Sequence, residues 1–315
     1  MGTSFSKNSK GTKSATRTQS QAAPQVHQSS NGDGSGKAFS DPEARDEIIL
    51  FPLDGRELSS VSDQELTDML STAPKLHQYG AVTIVRLSKY LALKGGRRVS
   101  PSEARNMIFA ADSLHLPVPK VHRSFTADIP AIGGMGKVKG FFISVATVSD
   151  MSQRESVTSQ VVTIINNMQS TTLELPSGPV GATADEKFEG PWFTEDGAGP
   201  YATMQDLENW YNHKIDICIQ YQQLPPDATR FKFDRLVLTH QDIASRNLIL
   251  DAQSNVWMID WGIAGVYPPG FEQAVLAGTY EELTDIVLAR LEDRGGDITK
   301  QYRSIGYGLS VAARL

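Results

Sequence analysis

Two stretches toward the C-terminal end bring together residue types suited to phosphoryl transfer: His240-Gln241-Asp242-Ile243-Ala244-Ser245-Arg246-Asn247 and Met258-Ile259-Asp260-Trp261-Gly262. Moving a phosphoryl group asks little covalent chemistry of a protein. The attacking hydroxyl must be oriented, and the developing charge must meet metal and fixed dipoles. An aspartate can accept the hydroxyl proton, and Asp242 is the candidate base. Mg²⁺ takes oxygen ligands and keeps only one or two from the protein, so the amide oxygen of Asn247 and the carboxylate of Asp260 are the candidate metal ligands. Either stretch alone reads as an ordinary polar loop; the two at this spacing favour the chemical reading.

The flanking residues predict elements that place these groups around a cleft. Arg235-Leu236-Val237-Leu238-Thr239 is β-rich and delivers His240 into a polar loop. Leu248-Ile249-Leu250 and Val256-Trp257-Met258-Ile259 are apolar runs of strand length, separated by the turn-prone Asp251-Ala252-Gln253-Ser254-Asn255. Antiparallel pairing of such a hairpin sets its two ends side by side, which brings Asn247 and Asp260 within reach of one cation.

Residues 239–251 and 256–269 together resemble the aminoglycoside phosphotransferase and choline kinase-like family, most closely its fungal branch. The resemblance is strong over 236–272 and patchy over the rest of 75–315. It implies an α+β, two-lobed protein kinase-like fold with a small N-lobe β-sheet carrying one helix and a mainly helical C-lobe. It also implies transfer of phosphate from MgATP to a small-molecule hydroxyl, with Asp242 as base and Asn247 and Asp260 on the metal. Such a site needs a lysine on an N-lobe strand and a carboxylate on the next helix. Tyr90-Leu91-Ala92-Leu93-Lys94 offers Lys94 on the same strand face as the small Ala92, leaving room for an adenine with the ammonium near the phosphates. Ser100-Pro101-Ser102-Glu103 then opens a helix with a capping serine and a proline at its first position. Glu103 either braces Lys94 or closes a capping box with Ser100. The expected organisation is a basic Ser/Thr-rich tail over 1–45, an N-lobe with a lead-in helix over 46–150, and a helical C-lobe over 151–315.

Other parts of such a site are altered. His77-Gln78-Tyr79-Gly80-Ala81-Val82-Thr83 offers one glycine where several would let backbone N–H groups approach phosphates. The segment 140–150 reads as a hinge strand followed too soon by helix from Met151. These departures leave a second reading open, an inactive kinase-like binding module. A third, a protein kinase, is suggested by Asp260-Trp261-Gly262 but lacks a following Ala-Pro-Glu. From Leu173 to Tyr201 the chain is rich in Gly and Pro; Trp192 and Phe193 there are read either as acceptor contacts or as surface packing. A last clear helix is expected over 281–293.

Composition bounds the rest. The chain has 315 residues, 40% of them apolar, enough for a full core. Its single cysteine, Cys218, excludes an intramolecular disulfide, suits a reducing cytoplasmic compartment and falls on the apolar stripe of a predicted helix. No Cys/His pairs stand at zinc-ligand spacing, and no apolar run is long enough to span a membrane. The first 40 residues hold 13 Ser/Thr and carry +4, against −10 for the remainder of a chain at −6 overall. That composition reads as a disordered tail. Its opening Met1-Gly2-Thr3-Ser4-Phe5-Ser6 matches an N-myristoylation pattern at Gly2, and Lys7, Lys10, Lys13 and Arg17 would add attraction to an anionic membrane surface. A plain Ser/Thr-rich tail is the other reading. No groove-reading or aromatic motif accompanies the basic residues, so no nucleic-acid partner is expected.

Overall fold

The computed structural model describes residues 37–38, 50–131, 134–144, 154–293 and 295–315, with side chains described in 50–127, 155–293 and 295–315. The anticipated lipidation site lies outside these residues, as do the expected tail apart from Lys37–Ala38 and the hinge beyond Ser144.

A lead-in helix α1 (Asp63–Thr72) opens on Ser62, whose hydroxyl accepts the Glu65 N–H and satisfies one of the free donors of the first turn. The sheet runs β1 (Lys37–Ala38), β2 (Lys75–Tyr79), β3 (Val82–Arg86), β4 (Leu91–Gly96), β5 (Val121–Ala131) and β6 (Gly134–Ser144). All neighbours are antiparallel, in the order β1-β2-β3-β4-β6-β5. The β-branched run Val82-Thr83-Ile84-Val85 suits a central strand. Pairing of Ile84 with Lys94 across β3 and β4 fixes which face the lysine presents. Behind the sheet, Leu66 and Met69 of α1 pack with Leu53, Val85, Leu87 and Leu93. Fully burying each such side chain contributes about 1.5–3 kcal/mol.

Between β4 and β5 the chain forms α2 (Pro101–Leu114), capped by Ser100 and ended by His115 in the left-handed region at φ 52°. Its buried face does not join the sheet core. Ala104, Met107 and Ala110 pack into the large C-lobe core with Val161, Ile165, Leu248, Met258 and Trp261.

The C-lobe is mainly helical: α3 (Arg154–Ser170), α4 (Met204–Gln220), α5 (Phe271–Leu276), α6 (Glu282–Arg290), α7 (Gly296–Ser304) and α8 (Gly306–Leu309). The molecule is thus a two-lobed α+β protein. Two short ribbons interrupt the helices, β7 (Val237–Thr239) paired with β10 (Gly265–Tyr267), and β8 (Leu248–Leu250) paired with β9 (Val256–Met258). The helix expected over 281–293 forms as α6, and α7 and α8 follow it. Only Ile298 and Tyr302 give α7 an apolar periodicity, and it starts on Gly295 at φ 58° without a capping side chain, so its pattern is weak. Among the described residues no helix is long and apolar enough to cross a membrane.

The long connection over 173–203 is neither surface packing nor an acceptor wall at its aromatic positions. Trp192 and Phe193 are buried in an aromatic core with Tyr211, Tyr267, Phe271 and Tyr302. Cys218 is buried there too, on α4.

Candidate active site

The β8–β9 hairpin has the anticipated form, with Leu248 opposite Met258 and Leu250 opposite Val256. One step beyond its open end, the Ile259 N–H donates to the Asn247 carbonyl at 3.0 Å. Asn247 and the residue before Asp260 are therefore tied backbone to backbone. Asp260 itself adopts a left-handed conformation at φ 65°, a cost held in place by its surroundings.

The loop ahead of the hairpin is fastened along its length. The buried His240 has Nε2 3.0 Å from the Ile259 carbonyl oxygen and accepts the Asp242 N–H on Nδ1 at 3.2 Å, which puts the ring proton on Nε2. Burial, more than the opposing pull of Asp242, lowers its pKa and keeps the imidazole neutral. Glu272, fully buried on α5, accepts the His240 N–H at 2.5 Å and the Gln241 N–H at 3.1 Å. Gln241 sits at φ 64° and donates its side-chain amide to the Ile263 carbonyl at 2.7 Å. Glu281 accepts the Ser245 N–H at 3.1 Å. Gly190, at φ 135°, comes so close that a Cβ there would lie 2.6 Å from the Gln241 Oε1, so a larger residue there would have to displace the Gln241 side chain.

Asp242 is held at both carboxylate oxygens, by the Arg246 guanidinium on Oδ1 and by the Asn247 amide on Oδ2 at 2.8 Å. The Asn247 amide also donates to the Asp242 carbonyl at 2.7 Å. With its NH₂ group committed to Asp242, the Asn247 side chain is left with its oxygen. Asn247 is 4% exposed, and among the described residues that oxygen accepts no hydrogen bond. A carboxylate oxygen from Asp260 and a free, nearly buried amide oxygen from Asn247 are hard donors that suit Mg²⁺. Among the described residues no group of three or more His, Cys, Asp or Glu side chains could hold a metal ion, here or elsewhere.

Lys94 reaches this centre from β4. Its ammonium lies 2.6 Å from Glu103 Oε1 and 2.8 Å from Asp260 Oδ1, joining strand, helix and hairpin. Burial works against the charged lysine, but the two carboxylates outweigh it and its pKa is raised. Burial likewise pushes Glu103 upward, with Lys94 pulling against it. Asp260 is pulled down: Lys94 overcomes the cost of burial there. The competing role of Glu103 as the cap is not taken up. The Ser100 hydroxyl accepts the Ser102 N–H, and the Glu103 carboxylate turns to Lys94.

These groups open on a cleft of about 290 Å³ between the lobes. Val82 and Ile84 line it from the sheet, Lys94 and Glu103 from its back, and Asp242 and Asp260 from below. The structure thus brings together the five residues singled out in the sequence, with Asn247 behind Asp242 and outside the cleft wall.

Four residues of this arrangement carried no sequence signal strong enough to find them. Glu272 and Glu281 act through loop N–H groups some 30 residues earlier. Glu189 lines the cleft from the 173–203 connection. Asn106, fully buried on α2, donates to the carbonyls of Trp261 and Ala264 at 3.0 and 2.8 Å and accepts the Val180 N–H at 2.9 Å. Its place three residues after Glu103, one turn along the same helix face, is the only hint the sequence holds.

The phosphotransferase enzyme family matches residues 94–305. No curated protein sequence is matched by the chain. Several solved structures are similar in fold. The streptomycin–ATP ternary complex of APH(2'')-IIa shares 12% identity over 77% of this chain and 86% of that one, with a TM-score of 0.43. Aminoglycoside phosphotransferase APH(4)-Ia shares 14% over 78% and 88%, at 0.48. The choline kinase LicA from Streptococcus pneumoniae shares 13% over 79% and 89%, at 0.40.

Proposed function

The chain belongs to the phosphotransferase enzyme family, and from that premise we propose that it moves the γ-phosphate of ATP to a hydroxyl of a small molecule. The observation that carries this reading is the meeting of Lys94 with Glu103 and Asp260 at 2.6 and 2.8 Å, in the cleft that Asp242 also lines. In it, Lys94, braced by Glu103, holds the inner phosphates of the nucleotide. Val82 and Ile84 give the adenine an apolar wall. Asp242, fixed by Asn247 and Arg246, orients the acceptor hydroxyl and takes its proton as the oxygen attacks the γ-phosphorus and the bond to the β-phosphate oxygen breaks. Positioned general bases contribute about 10²–10⁴-fold. Asp260 and the amide oxygen of Asn247 would hold Mg²⁺, which supplies charge neutralisation to the triphosphate.

The same reading takes residues 46–150 and 151–315 as the two lobes and keeps Gly2 as a candidate lipidation site. No observation favours a purely binding role. The test is ADP formation from MgATP by the full chain against a panel of hydroxylated small molecules, beside Asp242→Asn. Acceptor-dependent ADP release lost in the variant is the expected result. No acceptor-dependent release, together with no thermal shift on adding MgATP, would overturn the reading.

A further inference from the structure

A nucleoside triphosphate brings several negative charges into this cleft, and the usual backbone cradle for them is not built here. The β2–β3 turn is tight, with Tyr79 paired to Val82 and a single glycine at φ 53°. A Cβ on Gly80 would meet nothing within 4 Å, so that glycine serves the turn and not a close approach. Charge in the cleft must then be met by side chains. Its wall carries four carboxylates, Glu103, Glu189, Asp242 and Asp260, against the cations Lys94 and Arg98. Lys94 is already committed to two of those carboxylates. Arg98 is exposed, and among the described residues it forms no ion pair.

The backbone fixes where Arg98 stands. At the end of β4 a Cβ on Gly96 would fall 1.8 Å from the Ala81 carbonyl oxygen, so the β2–β3 turn lies directly over that strand end. Three residues further on, Val99 is buried in the core beside the start of α2. Arg98 is therefore carried on a short segment anchored at both ends, on the cleft wall near Lys94. We propose that Arg98 is a phosphate-binding residue that takes over, with its planar guanidinium, the role a glycine-rich turn would play for the ATP phosphates. A guanidinium can meet two phosphate oxygens at once, which a lysine at the same place cannot.

This rests on the phosphotransfer reading, and calorimetric titration of the full chain separates the two. The probes are MgATP and adenosine, with wild type, Arg98→Gln and Arg98→Lys. Arg98→Gln should weaken MgATP about tenfold or more and leave adenosine unchanged, because one charge-assisted contact of this kind is worth about that factor. Arg98→Lys should recover part of the loss. An unchanged MgATP affinity in Arg98→Gln, or an equal loss for adenosine, overturns the assignment alone. Failure of the wild type to bind MgATP at all overturns the phosphotransfer reading and the assignment with it.

Discussion

Lys94 is where the site's electrostatics concentrate, because its ammonium is shared between a buried carboxylate and one facing the cleft. Removing the shared cation strands Glu103, whose side chain is only 3% exposed and whose pKa burial has already pushed up to about 7. The sign follows from that direction. A carboxyl whose folded pKa lies above its unfolded value contributes stability that is present below the unfolded pKa and lost as pH rises through the folded one. In Lys94→Met the opposing pull of the ammonium disappears, so the folded pKa climbs further and the window of loss extends to higher pH. We expect Lys94→Met to be destabilised by about 3–5 kcal/mol at pH 8, the range for breaking a buried pair from one side, and far less at pH 5. Thermal melts at the two pH values check this; equal destabilisation at both would show that Glu103 does not depend on Lys94. At this scale the sequence left one choice open. Ser100 and Glu103 have capping-box spacing, and spacing alone cannot say that the carboxylate would turn to a lysine on the neighbouring strand.

Elements place the remaining polar groups. The β8–β9 hairpin was legible because its alternation, its length and its Asp-Ala-Gln-Ser-Asn turn are local properties of 13 consecutive residues, 248–260. Helix α2 was legible from Ser100 and Pro101 for the same reason. The helix that anchors the loop from below was not. Helix α5 has six residues, starts on Gly270 at φ 93° without a side-chain cap, and carries Glu272 among apolar neighbours where a sequence offers no reason to expect a carboxylate. Its reason is tertiary: two loop N–H groups would otherwise be buried without acceptors. Burial raises Glu272 from 4.5 to about 7, with the two N–H groups pulling the other way. By the same sign rule, wild type loses about 3 kcal/mol of stability through this residue as pH rises from below 4.5 through about 7. Glu272→Gln keeps one oxygen for both N–H groups and removes the titration. Its stability should therefore fall less between pH 5 and pH 8 than that of wild type, whatever its absolute value. Denaturant melts across that range read the slope directly, and parallel slopes would mean that Glu272 stays ionised throughout.

Over the whole molecule, the division of the cores decides which parts move together. Helix α2 belongs by sequence to the N-lobe, lying between β4 and β5, yet its buried side chains pack in the C-lobe core. Asn106, and Arg105 whose Nη2 donates to both carboxylate oxygens of Glu186, tie it further to the 173–203 connection and to the Trp261–Ala264 segment. No local pattern announces this, since an amphipathic helix shows that it has a partner and not which one. The sheet keeps a separate, smaller core of Leu53, Val61, Leu66, Met69, Val85, Leu87 and Leu93 with α1. Local stability follows contact with a core, so the sheet should open at lower free energy than α2. Of the contacts that bridge the two cores at the cleft, the Lys94 ion pairs are the ones a bound nucleotide would add to. Amide hydrogen exchange of the full chain tests the division. Without ligand, α2 amides should exchange as slowly as those of β8 and β9, while β2, β3 and β4 exchange faster. Saturating MgATP should slow β3 and β4 and leave α2 unchanged, because a ligand near 100 times its Kd adds about 2.7 kcal/mol only to openings that release it. If α2 instead exchanges in step with β3 and β4 in both states, helix and sheet open as one unit. The site would then be assembled by lobe movement, and the buried contacts of Asn106 would not be what holds Glu103 in place.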